Sequence, residues 1–107
     1  WMQGETDSRD STKAHSYKEN LTNFIKALRA NIKGAENMRF VIGQISAKAK
    51  YLNVVQQAQY DVSQNKNNVS LVVTKDLPLK PDNTHYGPAS QRELGKRFAD
   101  IIEKGER

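Results

Sequence analysis

The chain has no cysteine, so disulfides, thiolate chemistry and Cys-based zinc sites are excluded. Histidine is almost as scarce: His15 and His85 are the only two. They lie far apart and form no helical H-x-x-x-H pair, so no metal site and no cofactor is expected. Proline occurs three times, always between Asp76 and Pro88, which marks that stretch as an irregular loop. No run approaches the roughly 18 apolar residues that a membrane-spanning helix needs, so no membrane partner is expected. Basic charge is in mild excess, 17 Lys and Arg against 12 Asp and Glu, and it is spread along the chain. Nucleic-acid binders carry a clustered basic face. Here the nearest approach is Lys18, Lys26, Arg29 and Lys33 along one helix side, which reads as a solvated face. A weak, salt-sensitive nucleic-acid affinity would rest on the net charge of +5 alone, and no nucleic-acid partner is expected.

What is present is a soluble mixture, 36% hydrophobic and 27% charged over 107 residues, enough for one small core. Residues 5–15 are polar and read as a loop. From Tyr17 the apolar positions Leu21, Phe24, Ile25, Leu28 and Ile32 have helical spacing, with Lys33-Gly34 as the stop. Met38–Gly43 and Val69–Thr74 are short, β-branched, nearly continuous apolar runs, the pattern of strands buried on both faces. Between them Tyr51, Leu52, Val55, Ala58 and Val62 form a second helical stripe, in which Gln56, Gln57 and Gln59 read as a face turned partly to solvent. Leu94, Phe98, Ile101 and Ile102 define a last helix, with Pro88 near its first turn. Strands alternating with amphipathic helices imply an α/β fold with parallel pairing and helices on both sheet faces. Two strands are visible, three if Trp1-Met2-Gln3 ends another. In open parallel sheets ligands bind beyond the carboxyl ends of the strands, here after Gln3, after Gly43 and after Thr74.

Two of those three loops carry chemistry. Asp82-Asn83-Thr84-His85-Tyr86-Gly87 offers a carboxylate and an imidazole three residues apart. One reading is a base and its orienter, the histidine moving a proton while the carboxylate fixes its tautomer. The other is a turn in which Asp82 accepts from backbone amides and His85 lies at the surface, the commoner use of such spacing. Tyr86 lines a pocket or simply packs. In Trp1-Met2-Gln3-Gly4-Glu5-Thr6-Asp7 an amide side chain follows a strand end beside a glycine, where it is able to donate to an oxyanion. Glu5 and Asp7 fit an acid, a metal ligand or a loop brace.

Together the segments resemble the W-x-Q-G-E-[ST]-D and D-x-x-H blocks of the sialate O-acetylesterase and acetylxylan-esterase branch of the SGNH hydrolases, over essentially the whole chain. The resemblance implies a three-layer α/β/α sandwich with a parallel sheet (flavodoxin-like), of which residues 1–107 supply the C-terminal half of one domain. It implies hydrolysis of O-acetyl esters on carbohydrates, with an acetylated sugar as substrate. His85 becomes the general base, Asp82 its orienting carboxylate, Gln3 the oxyanion donor, and Gly4 and Glu5 the motif support. The family's nucleophile sits in a Gly-Gln-Ser-Asn block that this chain does not contain. Ser46, in Gly43-Gln44-Ile45-Ser46, comes one residue too late and after a different strand, and reads as a loop or capping residue. The serine is therefore expected upstream of Trp1, and the isolated chain is expected to be inactive and to self-associate. The alternative reading is a non-catalytic glycan- or protein-binding module derived from such an esterase. Compartment is not legible in the sequence.

Overall fold

The structure, a computed structural model, describes residues 1–104. A short 3-10 turn at Asp7–Arg9 is followed by α1 (Ser11–Asn31), β1 (Phe40–Gly43), α2 (Leu52–Asn65), β2 (Val69–Val72) and α3 (Pro88–Lys104). β1 and β2 pair in parallel, with Phe40 opposite Val69 and Gly43 opposite Val72. A parallel pair cannot be closed by a tight turn, and α2 supplies the crossover. The α/β architecture expected from the alternation is present. On the other edge of β1, the Trp1 ammonium donates to Val41 O at 2.8 Å. Gly43 N–H donates to Trp1 O at 2.7 Å. Bonds that flank one partner residue, Ile42, are the parallel pattern, so Trp1 runs beside β1 as a third strand end would.

Helix α1 starts six residues earlier than Tyr17, inside the stretch read as loop. Asp10 is the reason: its side chain accepts Lys13 N–H at 2.9 Å and caps the first turn. Ala14 is consequently buried in the core. The helix ends at Asn31, and Gly34 takes its left-handed conformation (φ 85°) in the turn beyond rather than at the cap itself.

Period-2 alternation splits the strands between two cores. Ile42 and Leu71 pack with Tyr17, Leu21 and Ile25 of α1 and with Val55, Ala58 and Val62 of α2. Gly43 faces the other way, where an added Cβ would stand 1.7 Å from Met2 Sδ and 3.0 Å from Phe98 Cζ of α3. Helices thus cover both faces of the pair. Burial of the Ile, Leu and Val side chains contributes about 1.5–3 kcal/mol each. Trp1, Met2 and Phe24 remain exposed, and the Trp1 ring packs against Phe24 at 4.7 Å between centroids, tilted by 38°. No helix among the described residues is long and apolar enough to cross a membrane.

One sequence reading is corrected inside the core. Gln59 is not on a solvent-facing side of α2; it is 0% exposed. It falls four residues after Val55 and three before Val62, squarely on the buried stripe. Its Oε1 accepts Ile45 N–H at 3.2 Å, and its Nε2 lies 3.2 Å from Tyr17 Oη, 3.4 Å from Gln3 O and 3.5 Å from Gly43 O. Gln57 is exposed and Gln56 half-buried, as the reading had them.

Candidate active site

Beyond β2 the chain enters the proline-bearing loop. Lys80 O accepts Asn83 N–H at 2.9 Å, a β-turn with Pro81 at its second position, where a fixed φ is pre-set. Asn83 takes a left-handed φ of 58°. Lys80 N–H to His85 O at 2.7 Å and the Leu79–Tyr86 bridge close the loop into a small hairpin.

Within it the two readings of Asp82 and His85 turn out to be compatible, because a carboxylate has two oxygens. Oδ1 accepts the backbone N–H of Thr84 at 2.9 Å and of His85 at 3.0 Å, which is the turn. Oδ2 lies 2.6 Å from His85 Nδ1, which is the dyad. The His85 side-chain hydrogen bond, followed by the two backbone amides, holds the Asp82 carboxyl well below the usual carboxylate range. An ionised carboxylate only accepts, so the neutral imidazole carries its proton on Nδ1 and presents the Nε2 lone pair. Among the described residues Nε2 has no protein partner, and the His85 side chain is 70% exposed. The arrangement can take a proton from a group brought to Nε2.

The loop is braced from three sides. Arg97 of α3 grips Asp76 with two bonds of 2.8 and 2.6 Å and also donates to Val73 O at 2.9 Å. This pair holds Asp76 down at about 2 and pushes Arg97 up. Thr74, fully buried, donates to Gln44 O at 2.7 Å and accepts the Tyr86 hydroxyl at 2.8 Å. Arg9 reaches Thr84 Oγ1 at 3.0 Å, and Lys48 N–H donates to Asn83 O at 2.9 Å. Asp76, Thr74 and Arg97 were not singled out in the sequence. Such braces join residues up to 75 positions apart, and spacing carries no signal for them.

The opening motif is anchored as tightly. Gly4 adopts φ 139°, and an added Cβ would stand 3.2–3.3 Å from Tyr17, Val55 and Ile45, so this position takes only glycine without strain. Ser8 ties the turn together through Glu5 O (2.6 Å) and Gly4 O (3.0 Å). Gln3 O accepts the Tyr17 hydroxyl at 2.7 Å.

Glu5, Thr84, His85 and Tyr86 share one hollow of about 440 Å³ with Leu94, Gly95 and Phe98 of α3. Gln3 does not open on it. Its Nε2 donates to Asp7 Oδ2 at 2.8 Å, and it lines a second hollow of about 320 Å³ with Trp1, Asp7, Tyr17 and Phe24. Ser46 is not beside His85 either; its Oγ lies 2.9 Å from Thr74 Oγ1. His15 is helical, with Nδ1 2.7 Å from Ser11 O, away from the site. Among the described residues no three His, Asp or Glu stand close enough to hold a metal ion.

Residues 1–104 match the model of a family described as carbohydrate esterase, sialic acid-specific acetylesterase. The chain belongs to that family. A probable carbohydrate esterase of Arabidopsis thaliana is 34% identical over 99 residues, which are 92% of this chain and 37% of that protein. The crystal structure bearing the same Arabidopsis locus superposes with a TM-score of 0.89 at 33% identity, over 97% of this chain and 42% of the solved one. The chain thus spans well under half the length of the carbohydrate esterase it matches. The family resemblance carried by the Trp1–Asp7 and Asp82–Gly87 segments is the one that the comparisons show.

Proposed function

We propose that these residues are the base-bearing part of a serine carbohydrate O-acetylesterase, a C-terminal half of a three-layer α/β/α sandwich. The observation that carries the reading is the 2.6 Å contact of Asp82 Oδ2 with His85 Nδ1 beside an Nε2 that has no partner among the described residues. In the proposed reaction Nε2 takes the hydroxyl proton of a serine supplied from N-terminal to Trp1. The serine oxygen attacks the acetyl carbonyl of the substrate. The tetrahedral intermediate collapses, its C–O bond to the sugar breaks, and His85 returns the proton to the departing sugar hydroxyl. Water then attacks the acetyl-enzyme by the same route, releasing acetate. Asp82 fixes the imidazole tautomer and faces the imidazolium that forms.

Gln3 opens on its own hollow beside Asp7 and not on that of His85. Its proposed role as oxyanion donor, through the Nε2–H that Asp7 leaves free, therefore requires its side chain to turn toward a site completed by the N-terminal half. Gly4 and Glu5 set the loop that carries it. The exposed Trp1, Met2 and Phe24 surface and the Trp1 edge fit an N-terminal half that covers them; without that half they favour self-association of the 107-residue chain.

The test uses a protein carrying this chain together with the N-terminal region. A fluorophosphonate probe should label one serine outside residues 1–107, and acetate should be released from acetylated xylan or O-acetylated sialic acid. Both should be lost in His85→Ala. Labelling of Ser46 would overturn the placement of the nucleophile. No labelling and no acetate release would favour a non-catalytic glycan-binding module.

A further inference from the structure

A third hollow, of about 480 Å³, opens between α2 and the start of the catalytic loop. Its contents differ from those of the other two. Gln44 is buried, only 5% exposed, and its Oε1 accepts Thr74 N–H at 3.1 Å. Its Nε2 has no protein partner among the described residues, although the side chain lines this hollow. No buried side-chain nitrogen or oxygen among the described residues lacks a partner, so this Nε2 opens on the hollow and is free to donate to a ligand there. Gln56 is arranged in the opposite sense: its Nε2 donates to Ile45 O at 2.8 Å, which leaves Oε1 to accept. Asn53 and Lys75 line the rim, and neither has a side-chain hydrogen bond or ion pair among the described residues. Beside these groups stand two apolar surfaces, the Tyr60 ring and Val73, 50% and 53% exposed.

Fixed donors and acceptors interleaved with an open aromatic face match a pyranose. Its hydroxyls both donate and accept, while its axial C–H bonds carry slight positive charge toward the negative face of a ring. The lining holds no carboxylate. The position also fits. Gln44 follows β1 and Val73 follows β2, so the hollow lies at the carboxyl ends of the strands, where open parallel sheets bind ligands. Tyr86 links it to the site above: it lines the His85 hollow, and its hydroxyl lies 3.4 Å from Gln44 O.

We propose that the Gln44–Asn53–Gln56–Tyr60–Lys75 hollow is a glycosyl-binding subsite that holds a sugar unit of the substrate apart from the esterified one. The inference rests on the carbohydrate reading for its ligand class but not on the catalytic role of His85. The sugar ring stacks on Tyr60, and Gln44 Nε2 and Gln56 Oε1 engage neighbouring hydroxyls. Lys75 donates to a ring oxygen or, in an acidic sugar, to its carboxylate.

The test is titration of the 15N-labelled 107-residue chain with xylotetraose and, separately, with N-acetylneuraminic acid, followed on backbone amides. At least one sugar should shift residues 53–60 and 73–75. Tyr60→Ala and Asn53→Ala, both at exposed positions, should each weaken that binding by about tenfold. His85→Ala should leave it unchanged while abolishing acetate release by the longer protein, so the two readings fail separately. The proposal is overturned if neither sugar moves those amides, if shifts are confined to residues 82–98, or if Tyr60→Ala binds as the parent does.

Discussion

Gln59 offers the sharpest test of how the core positions the site. Replacing it by leucine keeps roughly the same volume and deletes one acceptor and two donors. The acceptor matters most. Among the described residues Ile45 N–H is bonded only to Gln59 Oε1, at 3.2 Å, and Ile45 is 0% exposed, so the amide has no route to water. Stranding it costs about 1–3 kcal/mol. The donors matter less, because Nε2 sits at 3.2–3.5 Å from three oxygens and Gln3 O keeps the Tyr17 hydroxyl. Leucine leaves no cavity and is cheaper to bury than an amide, which offsets part of the loss. The expected net destabilisation is about 1–3 kcal/mol, read as a lower urea midpoint at unchanged slope. Gln59→Glu is expected to be worse, more than about 3 kcal/mol at neutral pH, since a carboxylate would face the Gln3 and Gly43 carbonyls with no positive partner. That deficit should shrink as the pH falls and the new carboxyl is protonated. If Gln59→Leu matches the parent within about 0.5 kcal/mol, the claim that this buried amide ties the Gln3 loop to the β1 exit is wrong.

Two further predictions concern α3, which supplies Gly95 to the His85 hollow and Arg97 to the loop brace. Gly95 sits inside α3 with nothing within 4 Å of an added Cβ, so Gly95→Ala should stabilise the helix by about 0.5–1 kcal/mol. Gly95→Leu should instead narrow the hollow and, in the longer protein, raise KM more than it lowers kcat on p-nitrophenyl esters; an unchanged KM would remove the hollow from the substrate path. Arg97→Met should free the loop at Asp76 and lower kcat roughly ten- to hundredfold in the longer protein, without loss of fold by circular dichroism. The pair has a pH signature as well. Asp76 is depressed from 3.8 to about 2, so its contribution is present above 3.8 and is lost as pH falls through about 2. Loop amide signals should therefore hold from neutrality to about pH 4 and broaden below it, a transition that Arg97→Met should lack.

The layering was legible because periodicity reports burial. The Val55–Ala58–Val62 stripe and the two β-branched runs yield α2, β1 and β2 at nearly the observed positions. The start of α1 was missed because its first turns are polar, and the deciding feature is the Asp10 cap. Gln59 was misjudged by its residue type, although its spacing from Val55 and Val62 already placed it on the buried face. In the site, the Asp82–His85 spacing was ambiguous between turn and dyad since the two use different oxygens of one carboxylate. Gln3 was brought forward by resemblance, yet its side chain meets Asp7 and not the His85 hollow, which Glu5 lines instead. The braces at Arg97, Thr74 and Arg9 depend on the tertiary path and leave no local pattern.

The central claim is that Asp82 orients His85 as a base, and Asp82→Asn in the longer protein tests it most directly. The amide keeps an oxygen for the Thr84 and His85 backbone N–H groups, so the turn and the fold should persist. Its other end would offer an NH2 to Nδ1, reversing the tautomer and placing the proton on Nε2. In this variant kcat for acetate release should fall by about 10³–10⁴, with KM and thermal midpoint little changed. A variant that retains kcat within a few-fold would contradict it and leave Asp82 as a turn residue alone.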